Sequence, residues 1–596
     1  MNNSNSFFRD DRKSLFIATA MAIILVGVAP YFLDAYLVNV LIRAFLYAAV
    51  ALTVDILWGY TGILTFGQSA FFGIGAYSAG LIFTHMGFST ANAIVAIAVG
   101  VGVAVAVAGI VGSLAFYHGA SNLYGSVVTL VLPIIVTQII FSGGNFTGSS
   151  SGLSAFQSFD FSMELWFWIS GLFLILLTFS TWIFVRSDAG SVLVAIRENE
   201  SRCEYLGINV SYVKICLLMS SAVIAAIAGY AFASAQMVVA PEYAGFVFGT
   251  ELLTWVALGG RGTLIGPVIG TLGIDVSTSY LSGNLPFVWK LILGIIFVLV
   301  IVAMPRGMAP LFMRRSRRAQ GDLMDKKNPV RIDRVASTVF EDSKVNAIEL
   351  RGVRKHFGSL KVLEDITLNV RPGELVSLVG PNGAGKTTLI RCISDGNERS
   401  SGSVLINGHD IGNRPPYECV AFGIGRKFQM ANTFEALTVV ESLRIARTRL
   451  HRPSFADRAE FLELPDAAAK VIVATGLDKE LDTETRNLSH GQKQALELAM
   501  VLALEPSVLL LDEPTAGLTS LERNVIGQIL TELATVHRLC VVLVEHDLDF
   551  VRQISSRVIV LHQGKIVLDG TVEQVVESEL VRTIYSGGAQ SIGGHS

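Results

Sequence analysis

The first 305 residues are dominated by apolar runs close to the ~20 residues a helix needs to cross a bilayer. They begin near Leu15, Tyr36, Gly62, Ala91, Leu123, Leu165, Val213, Gly245, Leu264 and Phe287. So many such runs cannot all be hidden in one water-soluble core, so lipid must cover part of this chain. The expectation is an N-terminal all-α polytopic membrane domain of about ten transmembrane helices. Composition agrees, with 51% hydrophobic and 16% charged residues and a mean hydropathy of +0.54 over 596 residues. The net charge of -3 averages two unlike halves, with acids sparse before Pro305 and charges of both signs plentiful after it. It therefore says little about partners, and no nucleic-acid partner is expected.

Basic residues orient the spans. Arg12 and Lys13 precede the first, Arg186, Arg197, Arg202 and Lys214 surround the loop between the sixth and seventh, and Arg306 and Arg314 follow the last. The positive-inside rule places all three groups in the cytoplasm, which an even number of spans satisfies. Gly143 to Ser154, GGNFTGSSSGLS, then forms an irregular loop outside. FFRDDRK followed by an apolar run to Val28 has the outline of a secretory signal, but no small-residue cleavage site ends it and further apolar runs follow at once. It reads as a first span. Cys203, Cys216, Cys392, Cys419 and Cys540 form no C-x-x-C or Cys/His cluster, so ordinary reduced thiols are expected.

From residue 306 to 346 the chain is basic and then mixed in charge, with RRSRR at Arg314 to Arg318. This is expected to be a cytoplasmic linker whose arginines flank anionic headgroups. From Ala347 to the C-terminus, short β-rich runs alternate with helical ones, the order of an α/β P-loop fold. GPNGAGKTT, Gly380 to Thr388, follows the apolar strand LVSLV and opens a helical run. Its glycines let the loop of Gly380, Pro381, Asn382, Gly383, Ala384 and Gly385 curl so that its backbone N–H groups, all but proline's, wrap round phosphates. Lys386 neutralises phosphate charge, Thr387 can hold magnesium, and Thr388 continues the helix start. VLLLDEP, Val508 to Pro514, ends a strand in two carboxylates: Asp512 suits magnesium and Glu513 suits polarising a water.

Carrying these motifs, the chain from Ile348 to Tyr585 resembles the ABC transporter ATPases. LSHGQ, Leu488 to Gln492, looks like the family signature, Gln429 in GRKFQ the Q-loop glutamine, and His546 in VEHD the switch histidine. Phe357 matches the aromatic on which adenine stacks, although taken alone it suits a core position nearly as well. The resemblance implies that ATP and magnesium are bound, with Gln429 also near the metal. It further implies that Ser489, Gly491 and Gln492 act on ATP held by a second cassette. Two departures are visible: His490 replaces the first glycine of the usual signature, and Thr519 stands where many relatives carry aspartate.

WGYTGILTFGQSAFFGIGAYSAG from Trp58, VLVAIRENESRCEYLGIN from Val192, WVALGGRGTLIGPVIG from Trp255 and MPRGM from Met304 resemble permeases of the branched-chain amino acid and urea uptake family. The loop around Glu200, Glu204 and Gly207 then looks like the helix that couples permease to cassette. Arg43, Asp55, Glu251 and Asp275 lie inside apolar runs and should face the bundle or a watery cavity. The resemblance implies a fused permease and ATPase in a bacterial inner membrane, multi-pass, with cassette and both termini cytoplasmic. Its partners would be a second permease/ATPase half, identical or not, membrane lipid and a periplasmic solute-binding protein. Branched-chain amino acids lead as solute, with urea or short amides as the alternative. Export, and a membrane-anchored ATPase that moves nothing, are the competing functions.

Overall fold

The computed structural model describes residues 5–117, 120, 122–284, 331–338, 345–458, 461–579 and 581, with isolated positions between 288 and 302. The start of the tenth run at Phe287, the MPRGM motif, the basic run to Arg318 and the expected cassette end at Tyr585 lie outside the described residues. The chain divides into two compact units, Met1–Arg186 with Ser211–Asn328, and Ser187–Val210 with Pro329–Ser596.

The first unit is helical. In chain order come α1 (Asn5–Val28), α2 (Ala35–Asp55), α3 (Gln68–Met86), α4 (Thr90–Ala115), α5 (Asn122–Ser142) and α6 (Met163–Val185). Next are α7 (Asp188–Glu198) and α8 (Glu200–Tyr205), which belong to the second unit, then α9 (Val210–Gln236), α10 (Phe246–Gly259) and α11 (Ile265–Asn284). Two sequence expectations need correction. The third helix starts at Gln68 rather than Gly62, because a π-helical turn at Ile56–Tyr60 and a non-helical stretch to Gly67 come first. Ile63 N–H donates to the Leu57 carbonyl at 2.9 Å and Gly67 N–H to Thr65 Oγ1 at 3.2 Å, so this backbone keeps its hydrogen bonds without a helix. Hydropathy is blind to that choice. Second, α10 has 14 residues, ~21 Å at 1.5 Å each, short of a full crossing; it stops at Gly260, whose φ of +119° breaks the helix.

Asp55 explains part of this shape. It is fully buried, and its carboxylate accepts from Gly262 N–H at 2.6 Å and Leu264 N–H at 3.1 Å. Tyr60 donates its hydroxyl to the Gly262 carbonyl at 3.0 Å, and the Arg261 guanidinium lies 5.0 Å from the Trp58 ring centre. A Cβ on Gly59 would sit 2.6 Å from both Asp55 Oδ1 and Gly262 N, so only glycine fits. The glycine-rich stretches around Trp58 and Trp255 are thus one junction. Asp275 is also buried, whereas Glu251 lies on the exposed side of α10.

Outside the membrane helices, β1 (Leu153–Ser154) pairs antiparallel with β2 (Val238–Val239) and ties the serine-glycine loop to the end of α9.

The second unit carries β3 (Arg331–Val335), β4 (Ile348–Phe357), β5 (Leu360–Val370), β6 (Leu375–Val379), β7 (Ser401–Ile406), β8 (His409–Asp410), β9 (Ile424–Lys427), β10 (Phe461–Pro465), β11 (Val508–Asp512), β12 (Cys540–Val544), β13 (Arg557–His562) and β14 (Lys565–Gly570). The central sheet runs β14-β13-β6-β12-β11-β9, parallel except for β14, and an antiparallel sheet runs β5-β4-β7-β8. Every residue of β6, β11 and β12 is buried, which is why these strands read as unbroken apolar runs. Residues 331–335, inside the span read as linker, form β3 and pair in parallel with β10. Ser337 then accepts from Ala467 N–H at 3.1 Å, so this part of the linker is anchored by backbone hydrogen bonds that composition does not reveal. Burial pushes the Cys392 and Cys419 thiols up to about 11, in keeping with inert reduced cysteines.

Glycine also brings α3 and α9 into backbone contact: a Cβ on Gly75 would meet the Ala226 carbonyl oxygen at 2.0 Å, and one on Gly229 the Phe72 carbonyl oxygen at 1.9 Å. Gly229→Val should therefore destabilise the membrane unit by about 1–3 kcal/mol or more. Thermal unfolding in detergent checks this; an unchanged midpoint would show the two helices to be further apart than described.

Candidate functional site

The phosphate loop stands at the end of the buried strand β6. Gly380, Gly383 and Gly385 have φ of +152°, +80° and +103°, and a Cβ on Gly380 would meet the Leu561 carbonyl oxygen at 2.1 Å. These are positions for glycine on conformation and on space. Pro381, Asn382 and Gly383 lie at the open side, Ala384 and Gly385 are buried, and Gly385 hands the chain to α12 (Lys386–Ser394), which carries Thr387 and Thr388 in its first turn. Lys386 Nζ donates to the carbonyls of Gly380 at 2.7 Å and Pro381 at 3.0 Å. Burial pulls its pKa below the ordinary value, against the opposing charges of Asp512 and Glu513. A cationic head held by two loop carbonyls thus sits at a helix N-terminus, the electrostatics of a polyphosphate site.

Asp512 and Glu513 leave β11 in different directions. Asp512 is buried, accepts from the Thr387 hydroxyl, and its Oδ1 has no hydrogen-bond partner among the described residues. Burial holds its pKa above the ordinary carboxylate value, the Thr387 hydrogen bond opposing. An orphaned buried carboxylate oxygen beside a threonine hydroxyl fits a hard divalent cation such as magnesium. Glu513 has φ of +48°, a conformation that costs a non-glycine residue about 1–3 kcal/mol. Its N–H is held by the Val544 carbonyl at 2.9 Å. At Glu513 Oε1 two side chains converge: Gln429 Nε2 donates at 3.0 Å and His546 Nε2 lies 2.9 Å away. Three residues far apart in sequence are therefore one cluster. Phe357 is 56% exposed at the end of β4, so it is not a core residue, and Lys355 Nζ lies 4.6 Å from its ring centre.

Ser489 and Gln492 form a reciprocal capping box at the start of α15; the helices between are α13 (Val439–Arg447) and α14 (Asp466–Ala474), and α15 itself spans His490–Leu502. Ser489 and His490 are exposed, and a Cβ on Gly491 would approach the Gly517 carbonyl oxygen at 3.1 Å. His490 lies over Gly517, where a Cβ would meet its Cδ2 at 2.6 Å, so the histidine packs the signature turn onto the AGLT loop. Thr519 caps α16 (Ser520–Thr535) in a box with Glu522. Threonine and aspartate are both good N-caps, so this departure keeps the helix start.

The loop between α6 and α9 belongs to this unit. A Cβ on Gly207 would lie 3.0 Å from Arg449 Cδ, and its φ of +84° turns the chain out of α8. Glu200 and Glu204 are half-buried. The loop is anchored by Arg202, which the sequence showed as a cytoplasmic charge within a permease-like motif but with no partner. Its side chain and that of Glu497 on α15 are both 0% exposed, with Nη1 3.3 Å from Oε1. Arg202 also donates to the carbonyls of Arg426 at 3.1 Å and Glu497 at 3.3 Å. Glu497 in turn accepts from Phe428 N–H at 3.1 Å, next to Gln429, and from Asn432 N–H at 3.4 Å. Tyr205 packs edge-on against Phe428 at 5.0 Å and accepts from Arg426 Nη1 at 2.9 Å. The signal in the sequence was a basic residue flanked by aromatic and acidic ones, indistinguishable there from a solvated loop.

Removing one member strands a buried charge. Arg202→Met or Glu497→Met alone should cost about 3–5 kcal/mol, and the Arg202→Met/Glu497→Met pair should recover only part of it, because the buried Lys427 then loses Glu497. Chemical denaturation followed by circular dichroism measures this, and a single substitution costing under about 1 kcal/mol would show the pair to be solvated.

Comparison with known families follows the same division. The family described as "Branched-chain amino acid transport system / permease component" matches residues 36–301, and the one described as "ABC transporter" matches residues 363–516. The high-affinity branched-chain amino acid transport ATP-binding protein LivG of Escherichia coli K12 is 32% identical over 252 residues, 41% of this chain and 98% of that protein. BraF of Pseudomonas aeruginosa PAO1, of the same description, is 32% identical over 250 residues, again 41% and 98%. A solved nucleotide-free ATP-binding cassette from an ABC transporter is 26% identical over 40% of this chain and 98% of its own, with a TM-score of 0.36. An apolar helical unit and a P-loop unit, each matched by its own family, make this chain an ABC transporter: a permease component of the branched-chain amino acid type fused to an ATPase whose hydrolysis is coupled to transport.

Proposed function

We propose that the chain drives uptake of branched-chain amino acids across a bacterial inner membrane, as one half of a transporter fed by a periplasmic binding protein. The observation that carries this reading is the joining, in one polypeptide, of the permease match at residues 36–301 to a cassette with LivG and BraF as relatives. Cassette and termini are cytoplasmic, following the arginines around the α6–α9 loop. Urea or short amides are the second reading, because VDILWGYTG and LSHGQKQ resemble the urea-type branch of the same family.

In the cassette, Phe357 stacks on adenine and the loop Gly380 to Gly385 with Lys386, Thr387 and Thr388 holds the phosphates. Thr387, Asp512 and Gln429 hold magnesium, which when bound neutralises charge on the phosphate oxygens. Glu513 polarises the attacking water, and His546 and Gln429 keep its carboxylate oriented, as their shared contact at Oε1 supports. Ser489, Gly491 and Gln492, at an open helix start, act on ATP bound to a second cassette. A second half, identical or different, is therefore required. The loop bearing Glu200, Glu204 and Gly207, anchored through Arg202, couples cassette closure to the permease.

Glu513→Gln should leave ATP binding intact and lower hydrolysis by about a hundredfold or more, read as phosphate release against binding of a fluorescent nucleotide. Normal hydrolysis would remove Glu513 from this role. In proteoliposomes holding the transporter with its partner subunits and binding protein, ATP should drive accumulation of leucine. Hydrolysis with no flux of leucine, urea or acetamide would sink the uptake reading.

A further inference from the structure

Helix α2 enters the apolar region at Ala35, and Arg43 lies eight residues in, ~12 Å along the axis. Asp275 is ten residues into α11, ~15 Å from its start and near the middle of that helix. The two make a forked pair: Arg43 Nε lies 3.2 Å from Oδ2, and Nη2 lies 3.1 Å from Oδ1. Ser279 Oγ accepts from Arg43 at 2.8 Å, and Tyr36 donates to the Ser279 carbonyl at 3.1 Å. One turn before Arg43, Asn39 Oδ1 accepts from Gln236 Nε2 at 3.0 Å. The result is a polar stripe on α2, α9 and α11, with the Tyr47 ring centre 5.9 Å from the Arg43 guanidinium.

The stripe is not sealed inside the unit. The Arg43 side chain is 32% exposed, Asn39 is exposed, and Tyr36 is 52% exposed, while Asp275 keeps only 7%. A guanidinium open to lipid at this depth is costly, and an arginine with that option usually turns toward the headgroups. Arg43 is instead held inward by a carboxylate at mid-helix. The face that bears it must meet something other than hydrocarbon.

We propose that this face of α2 and α11 lines the passage of the solute and that the Arg43–Asp275 pair receives a zwitterion, the guanidinium taking its carboxylate and the carboxylate its ammonium. This rests on the amino-acid reading above and deepens it. A solute carrying both charges replaces both sides of the ion pair at once and adds no net charge. An anion or cation would leave one buried charge alone, at a cost of several kcal/mol, and a neutral amide would replace neither. The pair is thus matched to amino acids and against urea. Because solute binding must open an existing ion pair, the site is weak, as a transit site has to be if solute is to leave it.

The test uses the full transporter, this chain with its partner subunits and binding protein, in liposomes. Radiolabelled leucine and acetamide are the probes, for wild type, Asp275→Asn, Arg43→Gln and the reversed pair R43D/D275R. Each single substitution should lower leucine accumulation at least tenfold while the amount of folded transporter in the vesicles and its binding of a fluorescent nucleotide stay within twofold. The reversed pair should regain the wild-type melting temperature but not leucine accumulation, because it turns the solute end for end. Leucine accumulation within twofold of wild type in either single variant, or restored by the reversed pair, overturns the proposal and makes the pair a clamp between helices. Wild-type vesicles that accumulate acetamide and no leucine overturn the amino-acid reading itself, and the zwitterion with it, in an arm that needs no variant.

Discussion

Neither the Arg202 guanidinium nor the Glu497 carboxylate keeps any surface for water, so each charge depends on the other, on the buried Lys427 near them and on the few backbone groups around them. Those groups are what make the pair central. Arg202 reaches the Arg426 carbonyl on β9, and Glu497 receives the N–H of Phe428, one residue before Gln429. Gln494, three residues earlier on α15, donates to the Gln429 carbonyl at 3.3 Å. A short loop set between two membrane helices, the strand that ends at the nucleotide site, and the helix that begins with Ser489 therefore share one buried charge. Displacing any of them exposes a polar cluster that low dielectric makes expensive to open.

The same economy of contacts recurs round the nucleotide site. Glu513 is held at positive φ by one backbone hydrogen bond to β12 and approached by side chains from two other loops. His490 lies over Gly517, and Thr519 closes the next helix, so both departures from the usual family residues do local packing and capping work. In the membrane unit, Asp55 plays the corresponding part. By accepting from Gly262 and Leu264 it gives the broken backbone after α10 the partners that lipid cannot supply.

Much of this chain was legible before any coordinates. The apolar runs announced most helices within a few residues of their starts, because a bilayer demands length and hydrophobicity that sequence displays directly. The phosphate loop and the strand ending in Asp512 and Glu513 were equally plain, since glycine at positive φ and buried parallel strands leave strong local marks. The misses share a cause. The non-helical stretch before Gln68, the short α10 and the strand at 331–335 each depend on hydrogen bonds to residues far away in sequence, which no local pattern encodes.

The sequence by itself determined the class of the molecule: a membrane permease joined to a P-loop ATPase, with the phosphate-loop motif and the Asp512–Glu513 pair each placed at the end of a buried strand. Only the tertiary structure decided that Arg202 is buried against Glu497, that Asp55 is a backbone cap, and that Arg43 on α2 is paired with Asp275 on α11. The reason is physical. Motifs record what a residue type can do within a few neighbours, whereas the fate of a charge depends on burial and on a partner; for Arg43 and Asp275 that partner is 232 residues away along the chain.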